Sequence, residues 1–165
     1  MAFSSHRWLA APLAVLALSA PSRTFAGADA TCKKVEGFLE EKLVTAGCTS
    51  PVGLCTVARM FGHLKGEARF TAAAITPSAD TPATSVVFVT GDTLVVDAEM
   101  ESKRGTLTIK NAAAFRTTGL GDLADNQTII AGTGDFAGAT GSLRISGNFV
   151  GDSGTSKFEG NVCVP

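Results

Sequence analysis

From His63 to Ala72 the chain changes character at every residue. Leu64, Gly66, Ala68, Phe70 and Ala72 are apolar or small, and the intervening His63, Lys65, Glu67, Arg69 and Thr71 are polar. Successive side chains of a strand point to opposite faces, so this is the pattern of a half-buried β-strand. It recurs along the chain. Leu94, Val96, Ala98 and Met100 alternate with Asp97, Glu99 and Glu101, and Leu107 and Ile109 share one face of 106–110. Leu143, Ile145, Gly147 and Phe149 alternate with Ser142, Arg144, Ser146 and Asn148, and Phe158, Gly160, Val162 and Val164 follow one another on the return. Shorter strands are expected at 85–90, 112–118 and 127–131. Turn signals fall at Gly91-Asp92, Ser102–Gly105 and Gly151–Gly154, and loops at 77–84 and 119–126.

Residues 32–44 fit two periods. Val35, Phe38, Leu39 and Leu43 have helical spacing, which Gly37 weakens by about 1 kcal/mol relative to Ala. Val35, Leu39 and Leu43 also share one face of a strand, provided that Glu41 sits at an end or faces a ligand. The strand is the favoured reading. Many short strands, polar-glycine turns and no convincing long helix point to one all-β domain, an antiparallel sandwich or barrel. Glycine within strands, at Gly66, Gly147 and Gly160, weakens an open sheet and suits the tight bends of a closed one. The expected inward set is Leu64, Ala68, Phe70, Leu94, Val96, Met100, Leu107, Ile109, Leu143, Ile145, Phe149, Phe158 and Val162. Asp97, Glu99, Arg69 and Arg144 fall on the other face.

Composition adds an address. His6 and Arg7 precede the apolar run Trp8–Ala20, with small residues at Thr24 and Ala26. That is the layout of a secretory signal peptide, cleaved after Ala26. Thirteen residues are too few to span a bilayer core, which takes about 20, so no membrane span is expected. The remaining domain is 27–165, secreted or periplasmic. Loss of Arg7 and Arg23 takes Lys plus Arg from 14 to 12 against 15 Asp plus Glu, with no basic cluster, which argues against nucleic acid. With Trp8 in the leader and no Tyr, phenylalanine is the only aromatic left.

Four cysteines in an exported domain read as two disulfides with three connectivities. Cys48–Cys55 is favoured because it closes a short loop through Ser50-Pro51-Val52-Gly53, which is good turn chemistry. Cys32–Cys163 would then join the two ends of a closed barrel. No Cys-x-x-Cys spacing is present and His63 is the only histidine after the leader, so no metal site or other cofactor is expected.

Gly132–Gly147 carries glycines at 132, 134, 138, 141 and 147 with Phe136, Leu143 and Ile145 threaded between them. Its residues read as the hairpin corner of a small closed barrel. Within it, Gly132, Thr133, Gly134, Phe136, Gly138, Ala139 and Gly141 match the Gly-Thr-Gly-x-Phe-x-Gly-Ala-x-Gly stretch of dirigent proteins and the allene oxide cyclase barrel-like superfamily, which the chain resembles. Cys48–Cys55 and Gly105–Ile109 are similar to segments of bacterial secreted proteins ending in the same motif, and the likeness runs from Cys48 to Val164. The resemblance implies an eight-stranded, calycin-like antiparallel barrel with an apolar lumen, assembled as a homodimer or homotrimer. Its relatives include isomerases and cyclases, and dirigent proteins that steer a radical coupling without performing the oxidation.

Acid–base chemistry in such a barrel needs polar groups on the lumen face, and the alternation supplies almost none. Glu41 and Arg116 are the polar candidates near a mouth. Phe70, Phe88, Phe115 and Phe149, with Arg116, are the candidate ligand-lining residues. Ser146, Ser153 and His63 lack a nucleophile elbow and a partnered base, and Gly132-Thr-Gly134 lacks the helix and lysine of a phosphate loop. Asn126-Gln-Thr128 is a formal glycosylation sequon. Three readings follow: a barrel that binds a small apolar ligand or serves as a scaffold, a dirigent-like or cyclase-like protein, and a structural oligomer with a packed lumen.

Overall fold

In the computed structural model, which describes residues 30–78 and 85–165, the alternating segments close into a ring. Eight antiparallel strands, β1 (Thr31–Leu43), β2 (Cys55–Gly62), β3 (Lys65–Pro77), β4 (Val86–Met100), β5 (Lys103–Arg116), β6 (Asp122–Gly134), β7 (Thr140–Val150) and β8 (Ser153–Val164), each pair with the next, and β8 pairs with β1. The expected leader lies outside the described residues, as does the 79–84 part of the expected loop. Among the described residues no helix is long and apolar enough to cross a membrane.

Every strand reverses direction, so the connections sort to two ends. The lower end holds the tight β2–β3 and β4–β5 turns, the β6–β7 turn, the start of β1 and the end of β8. The upper end holds the β1–β2, β5–β6 and β7–β8 connections, the end of β3 and the start of β4. A disulfide staples each: Cys32–Cys163 joins directly opposed residues of the closing β1–β8 ladder below, and Cys48–Cys55 closes the β1–β2 loop above. The favoured pairing is the one present.

Of residues 32–44, all but Val44 lie in strand β1. Val35 and Leu39 are buried, Glu41 follows them on the inner face, and the Phe158 ring packs where Gly37 has no side chain. The same device explains why Gly91-Asp92 is not a turn: β4 runs through it, and the Phe70 ring covers Gly91. Strand β4 also corrects the inward set. A bulge between Val95 and Ala98, with Asp97 at φ 50°, switches the face of the strand. Ala98 and Met100 face in as expected, but before the bulge Thr93 and Val95 are the buried residues, Leu94 is 41% exposed and Val96 lies outside the core. The expected strands 106–110 and 112–118 are one strand, β5, which ends at Arg116. The expected loop 119–126 ends early, because β6 begins at Asp122 and takes Asp125 and Asn126 into the ladder.

The lower half of the lumen is solid. Val35, Met60, Leu64, Val95, Met100, Leu107, Ile109, Ile129, Leu143, Phe158 and Val162 meet there, with Phe136 at its base. Phe136 comes from the β6–β7 turn and folds back beneath the barrel until it is fully buried. Gly132 makes room for it: a Cβ there would lie 2.4 Å from the Phe136 carbonyl oxygen and 2.8 Å from its Cβ. Gly138, at φ 76°, turns the chain back towards β7 with Pro165 alongside. Gly134 and Gly141 belong to the same corner, at the ends of the two strands.

Candidate functional site

Above that core the inward positions change chemistry. On β1 the residue after Leu39 on the inner face is Glu41, and on β2 Thr56 precedes Ala58. Strand β4 contributes Thr93, β5 contributes Asn111, and β6 contributes Asp125 and Gln127. These six polar side chains line a cavity of about 290 Å³ that opens at the upper end. Leu39, Phe70, Val89, Phe115, Leu123, Ile145 and Phe149 make up much of the remaining wall, and Phe115 and Phe149 meet edge to face with centroids 6.3 Å apart. A mostly apolar wall with a few convergent polar groups is the usual make-up of a small-molecule site.

The polar groups form two sets. Thr93 donates its hydroxyl to Asn111 Oδ1 at 2.9 Å, and Asn111 Nδ2 donates to Asp125 Oδ2 at 2.7 Å. Gln127 Nε2 donates to the same Asp125 oxygen at 2.9 Å. Asp125 is only 8% exposed, and its other oxygen, Oδ1, is buried without a hydrogen-bond partner among the described residues. On the second set, Thr56 donates its hydroxyl to Glu41 Oε1. No lysine, arginine or histidine is among the cavity-lining residues described.

Burial dominates the titration of both acids. Removal from water pushes the Glu41 carboxyl above its ordinary range, the Thr56 hydrogen bond draws it part of the way back, and the negative charge of Asp125 raises it further. Burial likewise raises Asp125, against the hydrogen bonds of Gln127 and Asn111, which draw it part of the way back. Two carboxyls that sense each other in an apolar wall with no cation resist ionising together. The pair can hold a proton, pass one to a bound molecule, or accept hydrogen bonds from it.

Of the candidate residues from the sequence, Phe70, Phe115 and Phe149 line this cavity and Glu41 stands on its wall. Phe88 does not; it is 51% exposed on the outer face of β4. Arg116 is also outside, with its guanidinium 3.2 Å from Asp122. Both lie one residue off the inward set, since Asn111, Ala113 and Phe115 are the lining positions of β5 and Val89 and Thr93 those of β4. The expectation of a lumen almost free of polar groups is corrected by Thr56, Thr93, Asn111, Asp125 and Gln127. Three of these had a signal. Asn111 continues the period of Leu107 and Ile109, and Asp125 and Gln127 lead into Ile129 at the same spacing, but ending one strand at Lys110 and beginning the next at Gln127 cut both series. Thr93 is legible only once the bulge is known. His63, Ser146 and Ser153 do not line the cavity, and Asn126 faces outward.

No model of a known protein family matches the chain, and no curated protein matches it.

Proposed function

We propose that this is an exported barrel that binds one small, largely apolar molecule in the upper half of its lumen. The observation that carries the reading is the cavity itself: about 290 Å³, walled mainly by aliphatic and aromatic side chains, in a barrel whose other half is filled. Export is supported by the leader-like start of the sequence, and the two disulfides are compatible with an oxidising compartment. The motif at 132–141 supports membership of the allene oxide cyclase barrel-like group.

The test is fluorescence titration with N-phenyl-1-naphthylamine, an apolar probe uncharged at neutral pH. Wild-type protein is expected to enhance its emission saturably, and Ala113→Phe, which fills the cavity from β5, to abolish the signal while the thermal unfolding curve persists. Equal signals from the two proteins would sink the reading.

Glu41 and Asp125 favour a second reading, acid–base turnover of a hydrophobic substrate of the isomerase or cyclase type, because two acids that burial raises stand on the wall of one apolar cavity and can hold or pass a proton there. Incubation with a panel of polyene and phenoxy substrates tests it. A change in product ratio that disappears in Glu41→Gln is expected; identical ratios with and without protein across the panel would rule it out.

A further inference from the structure

The barrel has a charged end and an uncharged one. At the lower end Lys33, Lys34, Lys65, Glu101, Arg104 and Asp135 are exposed. At the upper end, residues 44–54, 72–77, 86–91 and 117–121 include no Asp, Glu, Lys, Arg or His. The charged side chains at the strand ends and in the β7–β8 turn there are Lys42, Arg116, Asp122 and Asp152, and Arg116 and Asp122 pair with each other at 3.2 Å. What this end exposes instead is apolar. Leu43, Val52, Leu120 and Val150 are 39%, 42%, 70% and 55% exposed, and Ile75 and Phe88 are exposed at the end of β3 and the start of β4. Phe38, Leu94 and Ile130 are exposed elsewhere, on the flank.

These apolar side chains form a lip around the cavity mouth. The Phe149 N–H donates to the Gly121 carbonyl and the Leu43 N–H to the Asp152 carbonyl, which joins the β5–β6 turn, the β7–β8 turn and the end of β1. The loop that carries Val52 is fixed by Cys48–Cys55 and by Ser50, whose hydroxyl donates to the Ala72 carbonyl at 2.7 Å. Leu43 belongs to both surfaces, since it lines the cavity and is also exposed. Exposed apolar surface that continues into an apolar cavity marks a docking or binding face. Whatever covers the lip also covers the mouth. A second copy would seal the cavity, whereas a lipid surface opens it to an apolar phase.

We propose, resting on the ligand-binding reading above, that the barrel docks mouth-first on a neutral, zwitterionic phospholipid surface, from which its apolar ligand enters. The lip buries its side chains at the acyl boundary without spanning the bilayer. Lys42 and Arg116 offset Asp122 and Asp152, so the lip matches a zwitterionic headgroup layer and lacks the basic excess that draws proteins to anionic lipid. The charged lower end stays in water. The test is co-sedimentation of the purified protein with phosphatidylcholine vesicles at low and high salt. Wild type is expected to sediment equally in both. Leu120→Asp with Val150→Asp places two charges in the lip at exposed positions and should weaken binding at least about tenfold. Val52→Asp, in a different connection, gives the same comparison should the double variant fail to fold. Ile130→Asp, on the flank, should sediment as wild type does.

Wild type that stays in the supernatant, binding confined to anionic vesicles at low salt, or equal losses in the lip and flank variants overturns the proposal. So does a dimer in sedimentation velocity that the lip variant dissociates, which would give the lip to a second copy. In each case a saturable N-phenyl-1-naphthylamine signal without vesicles leaves the ligand-binding reading standing. Protein that sediments with vesicles but takes up no probe overturns that reading and, with it, the entry of ligand proposed here.

Discussion

At the lower end of the barrel Phe136, Phe158, Leu143, Leu107, Ile109 and Met100 fill the space between the strands; further up the same strands, Phe70, Phe115 and Phe149 stand around a cavity. Aromatic side chains are present at both ends, so their number does not decide which end is solid. Below, the β6–β7 turn sends Phe136 back into the lumen, and Gly132 removes the side chain that would block it. Above, among the described residues, small and polar positions stand where such a plug would be: Ala58, Ala68 and Ala113 beside Asn111, Asp125 and Gln127. One end spends its inward positions on stability, and the other leaves them to a ligand and to a pair of acids that burial makes costly.

The sharpest contrast between the ends is covalent. Replacing Cys32 and Cys163 by serine opens the closing ladder and releases a loop of sequence separation 131, against 7 for Cys48–Cys55. Chain-entropy arguments put the expected losses at about 5 and about 2.5 kcal/mol. Denaturant unfolding of the two double variants checks the ranking, and an equal loss would show that the lower seam has no special role.

Next comes packing. Phe136→Ala should cost about 3–5 kcal/mol, as for a fully buried aromatic. Phe115→Ala, which removes a half-buried ring from the cavity wall, should cost much less and act mainly on probe binding. Similar losses of midpoint in urea would erase the distinction between plug and wall. Gly138→Val puts a β-branched residue at φ 76° with its Cβ 3.1 Å from Pro165 Cγ, and roughly 1–3 kcal/mol is expected from the strain. A soluble variant with an unchanged melting temperature would remove the turn from the account of the packed end.

The smallest effect belongs to the open end and has the opposite sign. In the unfolded chain Glu41 and Asp125 ionise near their ordinary values of 4.5 and 3.8, whereas the folded barrel holds both protons to higher pH. Between those limits the native state binds more protons than the unfolded state, so the contribution of these two groups is fully present below the ordinary values and is lost as pH rises through the raised ones. Glu41→Gln should therefore raise the melting temperature in mildly alkaline buffer and leave it little changed below the ordinary carboxyl range. A melting temperature lowered by this substitution at alkaline pH would contradict the cost of ionising Glu41.

Much of the barrel was legible in the chain. The period-two series at 63–72, 142–150 and 155–164 identify the faces of β3, β7 and β8, and the turn chemistry at Ser50–Gly53 anticipates the Cys48–Cys55 loop. The cavity wall was legible in part. Phe70, Phe115 and Phe149 fall on it, while Phe88 and Arg116 stand outside because neither is on the inward register of its strand. The Asn111–Asp125–Gln127 network went unread because Asn111 and Asp125, polar residues just beyond the ends of two series, look like loop, and nothing in a single strand says that β5 and β6 will each present an amide to one carboxylate.

What the amino-acid sequence settled by itself is the class of fold. Alternation is a local property, since each side chain's face follows from the pleat, and glycine-punctuated strands without a helical stripe have few ways to bury their apolar face other than closure. What only the tertiary structure decided is where the lumen is full and where it is empty. The bulge at Asp97 that changes the face of β4, the return of Phe136 beneath the core and the presentation of Glu41 from β1 and Asp125 from β6 to one cavity all depend on residues far apart in the chain. Volume and charge inside a barrel are sums over all its strands, and those sums exist only once the ring has closed.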